Sequence, residues 1–220
     1  ALVEHGILLS QAAAPGHGHV QPTSRAEGLQ HARQQASLYL LLSQTCNLSC
    51  IYCLNGAETY GGNKPARMDF DTALASIGRA FQDLQPDGRL EIVFFGGEPL
   101  RGWDVARRIL AESRTERWHE LAGGRTWQFH LTSNLSLLPP DLVEQAQEYG
   151  ITFLVDVDGP PDIHDRSRPV HGGGPSHARI EKNLQALTRA GLRYAMRATV
   201  TSLNAGRMVE VARHHRELGG

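Results

Sequence analysis

From residue 37 onward, apolar residues fall into two alternating rhythms. Short runs at 38–43, 90–95, 127–132, 151–156 and 194–199 are dense in aliphatic, β-branched and aromatic residues and read as strands. Between them, segments 69–84, 103–121, 139–149, 176–190 and 205–218 repeat apolar residues at helical spacing. Asp69 or Asp71 can cap the first helix, Pro139-Pro140-Asp141 opens the third, and Ser176 can cap the fourth. Gly150 and Gly191 sit where helices end. Strands alternating with helices predict an α/β fold of right-handed βα units around a parallel sheet. Five units are visible, whereas a closed eight-unit barrel needs about 250 residues. Residues 1–36 lack this period. Pro15, Gly16, Gly18, Pro22 and Gly28 make 11–36 read as a linker, so the expected division is an extension over 1–36 and a core over 37–220.

The chemistry starts directly behind the first apolar run. Cys46, Cys50 and Cys53 are every cysteine in the chain, spaced C-x3-C-x2-C. Thiolates are soft ligands and select iron–sulfur clusters, zinc or Cu(I). A cubane usually takes four cysteines, so three leave one iron open to another ligand. Zinc needs a fourth donor, and no histidine lies near the loop; His130, His164 and His171 come later. An odd number of closely spaced cysteines suits disulfides poorly. Cluster, zinc and incidental thiols all remain open on spacing alone.

Working groups in α/β barrels gather where strands end. The second strand runs into Gly96-Gly97-Glu98-Pro99, the third into Ser133-Asn134, and the fourth into Asp156-Val157-Asp158-Gly159-Pro160 with His164-Asp165 and Arg168 behind it. Two glycines allow backbone to approach a ligand, and Glu98 can accept from an ammonium group. A plain turn explains Gly-Gly equally well, and an Asx or Ser/Thr turn explains Ser133-Asn134. Arg197, in an otherwise apolar strand, needs an acid or a ligand anion.

The cysteine spacing with Tyr52 just before the third Cys, followed by the GGEP and DGP…HD…R blocks, resembles the radical S-adenosylmethionine (SAM) superfamily. Within it, the DGP…HD…R block resembles the one that marks the subgroup of anaerobic sulfatase maturases and peptide maturases with SPASM domains. The resemblance implies a partial (βα)6 barrel, truncated here after about five units, with the last unit or two beyond Gly220. It implies a [4Fe-4S] cluster on Cys46, Cys50 and Cys53 whose open iron chelates SAM, and a radical that abstracts hydrogen from a peptide or protein side chain. Tyr52, Gly96, Gly97, Glu98, Pro99, Ser133, Asn134, Asp156, Arg179, Arg197 and Val200 are the implied SAM contacts. Asp156 stands where the family usually has Ser and is expected to prefer ribose hydroxyls to the carboxylate. The implied task is maturation of a ribosomal peptide by crosslinking, or formation of formylglycine in a sulfatase. The implied partners are a peptide or protein and an electron donor of the flavodoxin or ferredoxin type. Gly6-Ile7-Leu8 weakly resembles the end of the winged-helix peptide-binding domain that precedes some peptide maturases.

Composition narrows the picture further. The chain has 220 residues, 40% hydrophobic and 20% charged, with a formal net charge of −1, which predicts no general attraction to nucleic acid or membrane. Glu4 and His5 interrupt the N-terminal apolar stretch, which lacks the basic start of a signal peptide. Unpaired cysteines suit a reducing cytoplasm. A first residue that is Ala, and an end at Gly219-Gly220 where another strand is expected, read as part of a longer protein.

Overall fold

The computed structural model describes residues 33–54 and 66–219. Among these, five strands form one sheet in chain order, each parallel to its neighbour. They are β1 (Arg33–Ser43), β2 (Leu84–Gly96), β3 (Thr126–Ser133), β4 (Thr152–Asp156) and β5 (Tyr194–Arg197). Strands that follow one another without reversal have the winding of a βα barrel, not of a doubly wound sheet. The helices are α1 (Phe70–Gln82), α2 (Trp103–Glu112), α3 (Glu116–Ala122), α4 (Leu142–Tyr149), α5 (Pro161–Ser167), α6 (His177–Arg189) and α7 (Met208–Glu217).

Strand alternation decides which side is filled. Leu40, Phe94, Leu131 and Phe153 stand side by side across the sheet and are all buried. They belong to one core with Leu74, Ile77 and Phe81 of α1, Ile109 and Leu110 of α2, and Ile180, Leu184 and Leu187 of α6. Each such side chain contributes roughly 1.5–3 kcal/mol by leaving water. Phe81 meets Trp118 and Trp127 edge-on at 6.0 and 6.3 Å, the favoured geometry for aromatic quadrupoles. Residues of opposite parity, such as Tyr39 and Leu41, are exposed.

Several boundaries differ from the sequence pattern. β1 starts at Arg33, inside the expected linker, and β2 starts at Leu84. Arg33 pairs with Leu84 but Gln35 with Arg89, so the polar Pro86-Asp87-Gly88 bulges within a ladder that hydrophobicity does not reveal. The expected helix over 103–121 is two helices. Ser113 Oγ donates to Leu110 O, and Thr115 Oγ1 accepts from Trp118 N, so local hydroxyl bonds end α2 and cap α3. α5 was missed because seven residues that begin at the second of two prolines carry too little period. Asp69 caps α1, accepting from Thr72 N at 2.8 Å. Ser176 does not cap α6 with its side chain. It donates to Arg168 O at 2.6 Å, while Asp165 Oδ1 accepts from Ser176 N and His177 N at 2.8 Å each. The Gly6-Ile7-Leu8 reading and most of the expected linker lie outside the described residues.

Candidate active site

β1 runs straight into the cysteine loop, and hydrogen bonds hold residues 44–51 of that loop. Gln44 N donates to Ala66 O at 3.0 Å. Ser49 N and Ile51 N donate to Pro169 O and Ser167 O at 2.8 and 3.0 Å, and His171 N donates to Asn47 O at 3.1 Å. Asn47 Nδ2 donates to Ser136 Oγ at 2.7 Å. Backbone groups matched in this way hold a loop in one conformation. Cys46, Cys50 and Cys53 are free thiols, and all three open on one cavity of about 230 Å³ at the strand ends.

Donors already point at two of the sulfurs. Leu48 N and Asn134 Nδ2 lie 3.4 and 3.5 Å from Cys46 Sγ, and Arg168 Nη1 lies 4.0 Å from Cys50 Sγ. Burial pushes the Cys46 thiol up, and pushes Cys50 up to about 11 against the pull of Arg168. Ligation would therefore release protons. Among the described residues, no three His, Cys, Asp or Glu side chains converge as ligands of a single ion. Zinc draws its donors to within about 2.0–2.3 Å of one point, whereas a cubane spreads its thiolates over separate irons. Three thiols lining one cavity supply the soft donors that three irons of a cubane need.

The glycines of the second strand end serve the loop itself. A Cβ on Gly97 would stand 2.6 Å from Gln44 O and 2.7 Å from Thr45 O, and one on Gly96, at φ +145°, would overlap Ser43 O. Gly97 N instead donates to Ser43 O at 2.7 Å and Glu98 N to Thr45 O at 2.9 Å. Close approach is needed here to the neighbouring backbone, with the cavity on the open side.

Glu98 departs from its expected part. Its side chain is fully buried and absent from the cavity lining. Oε1 accepts from Leu100 N at 3.0 Å and Ser133 Oγ at 2.8 Å, and Oε2 from Asn134 N at 3.0 Å. Burial pushes this carboxyl up to about 7 despite the three donors. Glu98 thus ties the ends of β2 and β3 together and sets Asn134, whose amide reaches both Cys46 Sγ and, at 3.3 Å, Asn47 Oδ1.

The far side carries alternating charge. Asp156 lies 2.8 Å from Arg197 Nε and 3.4 Å from Arg168 Nη1, and Asp158 lies 3.1 Å from Arg168 Nε. Asp158 is fully buried and acts as a hub. It accepts from Tyr52 Oη at 2.5 Å and Thr199 N at 2.9 Å, and its backbone N donates to His164 Nδ1 at 3.2 Å. Burial holds His164 down to about 3, so its imidazole is neutral. Burial raises the Tyr52 phenol, which stays protonated and donates.

The cavity brings together the three cysteines, Tyr52, Gly96, Gly97, Asn134, Asp156 and Arg197. It does not include Glu98, Pro99 or Ser133, which are buried behind it, nor the exposed Arg179 on α6 and Val200 after β5. It also takes Phe95, Thr132, Arg168 and Thr199, which sequence reasoning did not assign. Strand parity could have found two of these, because Thr132, Asp156 and Arg197 share the face that leaves Phe94 and Leu131 to the core. Arg168 carried only a motif position.

A model of the Radical SAM superfamily matches residues 40–213. The chain is 24% identical over 173 residues to the radical SAM cyclopropyl synthase TigE of Paramaledivibacter caminithermalis, covering 74% of this chain and 35% of that protein. It is 27% identical over 162 residues to the serine-type anaerobic sulfatase-maturating enzyme of Bacteroides thetaiotaomicron, covering 73% and 38%. The solved structure of native anSMEcpe with bound AdoMet and the Kp18Cys peptide superposes with a TM-score of 0.72 at 22% identity, over 83% of this chain and 48% of that one, which shows a shared fold. The chain therefore spans well under two thirds of each of these proteins.

Proposed function

The chain belongs to the radical SAM superfamily, and on that footing we propose that it is an enzyme that modifies a side chain of a peptide or protein, in the maturation of a ribosomal precursor. The observation that carries this reading is the single cavity shared by the three cysteine thiols, the Gly96-Gly97 turn, Asn134 and the Asp156–Arg197 pair.

In this reading Cys46, Cys50 and Cys53 hold a [4Fe-4S] cluster and the rest of the cavity holds SAM. When bound, the cluster supplies the electron that cleaves SAM to methionine and a 5′-deoxyadenosyl radical able to take hydrogen from the substrate. The chain's own residues bind, orient and screen. The backbone at Gly96 and Gly97 accepts from the SAM ammonium, a part that Glu98, engaged with its own three donors, leaves to main-chain oxygens. Arg197 is half exposed and uses Nε on Asp156, which leaves its outer N–H groups for a ligand carboxylate or hydroxyl. Asp156, neutralised by two guanidiniums, accepts from sugar hydroxyls without presenting a bare charge. Phe95 and Leu54 give one part of the cavity wall an apolar surface. An external flavodoxin- or ferredoxin-type protein serves as electron donor. Among the described residues, no helix is long and apolar enough to cross a membrane.

Anaerobic reconstitution tests the reading, with iron and sulfide analysis and detection of 5′-deoxyadenosine by mass spectrometry. Cluster uptake and SAM cleavage, both lost in Cys50→Ala, are expected. Zinc in place of iron, or cleavage that survives Cys50→Ala, overturns it. The likeness to a sulfatase-maturating enzyme favours formylglycine formation as the second reading. A product aldehyde that captures a hydrazide identifies that outcome, whereas a new bond between residues, seen on fragmentation, identifies crosslinking.

A further inference from the structure

Arg168 lies just past α5 with a side chain only 6% exposed. Removing a guanidinium from water costs several kcal/mol unless charge and hydrogen bonds compensate. Two acids, Asp156 and Asp158, flank it and keep it charged although burial opposes this. Simple pairing would favour two parallel N–H···O bonds on one carboxylate. The guanidinium does not take that pose. Its Nε is 3.1 Å from Asp158 Oδ2 yet makes no well-aligned hydrogen bond, while Nη2 reaches Thr199 Oγ1 at 3.5 Å and Nη1 reaches Cys50 Sγ at 4.0 Å. The same Nη1 also lies 3.4 Å from Asp156 Oδ2, so the guanidinium stands between its two acids with one edge directed at the sulfur. Tyr52, two residues beyond Cys50, packs its ring 5.4 Å from the guanidinium carbon and donates to the same Asp158.

We propose that Arg168 is a positioning residue for the cluster: it holds the Cys50 thiolate by an N–H···S hydrogen bond and thereby raises the cluster's reduction potential. This rests on the cluster reading above. Reduction adds negative charge to the irons and their sulfurs. A donor and a fixed positive charge beside one thiolate favour the reduced form, a recognised lever on cluster potentials. The acids hold the guanidinium in place, while the directional bond acts at the sulfur.

The test is an EPR-monitored redox titration of the full chain, reconstituted anaerobically, as wild type, Arg168→Lys and Arg168→Gln. At a fixed potential the ratio of reduced to oxidised cluster is expected to fall about tenfold in Arg168→Gln, or about 59 mV for one electron. It is expected to fall about threefold in Arg168→Lys, which keeps the charge but not the planar fork. Variants within twofold of wild type overturn the proposal. If Arg168→Gln takes up no cluster, Arg168→Lys decides alone, and a wild-type ratio there overturns it. A wild-type chain that takes up no cluster removes the functional reading and this inference together, whereas a cluster indifferent to residue 168 removes only the inference.

Discussion

Asp158→Asn replaces one carboxylate oxygen by an NH2 group at the most connected point of the site. The aspartate accepts from Tyr52 of the cysteine loop and from Thr199 past β5, and it pairs with Arg168 past α5. An asparagine keeps an oxygen for Thr199 N but turns an NH2 group toward Arg168 and the tyrosine hydroxyl. Arg168, 5% exposed, is left with Asp156 at 3.4 Å as its remaining acid. Removing one partner of a buried pair costs about 3–5 kcal/mol. The retained Asp156 brings the expected loss to about 2–3 kcal/mol, since the guanidinium keeps a counter-charge. For a domain of this size each kcal/mol moves the melting temperature by about 2–4 °C, so a fall of about 4–12 °C is expected. Anaerobic urea and thermal unfolding followed by far-UV circular dichroism measure both quantities. A loss below about 0.5 kcal/mol with an unchanged m-value would refute the hub, because it would mean that Tyr52 and Arg168 are held equally well without the charge.

Three further outcomes follow from other parts of the fold. Glu98 has its carboxyl raised from 4.5 to about 7, so its contribution to stability is complete below pH 4.5 and is lost as pH rises through 7. Relative to Glu98→Gln, which does not titrate, the wild type should lose about 3 kcal/mol across that window; parallel urea midpoints from pH 5 to pH 8 would contradict the burial argument. Gly97→Ala forces a methyl against two backbone oxygens and should cost about 2–3 kcal/mol, with a matching fall in iron bound per chain after reconstitution. Phe81→Ala, in the core beneath Trp118 and Trp127, should cost about 3–5 kcal/mol while leaving SAM affinity, measured calorimetrically well below the melting temperature, unchanged.

Much of the fold was legible because a strand packed against helices needs a run of large apolar residues, and 90–95, 127–132 and 151–156 supply such runs at regular intervals. The cysteines, the Gly96-Gly97 turn and Asp156 stood out in the sequence as unusual residues behind strands, and the fold brings them to one cavity. What stayed hidden was direction and pairing. Glu98 reads as a free carboxylate in a line of letters, and only the folded chain shows it turned inward to Ser133, Leu100 and Asn134. Arg168 reads as a loop cation, yet contacts 118 residues apart in sequence bring it to Cys50. The early part of β2 was hidden because its polar residues 86–88 bulge out of the ladder between the paired Leu84 and Arg89, a backbone arrangement that composition does not report.

Tyr52 joins these strands of argument. Its place before the third cysteine marks an aromatic, but in the fold its hydroxyl does the linking: it donates to Asp158, which is also bound to Thr199 and paired with Arg168. On the other flank, Asn134 hydrogen-bonds Cys46 and is itself set by Glu98. The loop, with its Cys46 and Cys50 sulfurs, is thus indexed to the ends of β2, β3, β4 and β5 through buried polar bonds. In a buried network, leaving one member unsatisfied costs more than the bond is worth, so displacement of the loop relative to the strand ends is penalised at several points at once. A chemistry that needs one ligand to touch both the sulfurs and the strand ends requires that fixed separation, and a thiol loop serving only to bind a metal would not.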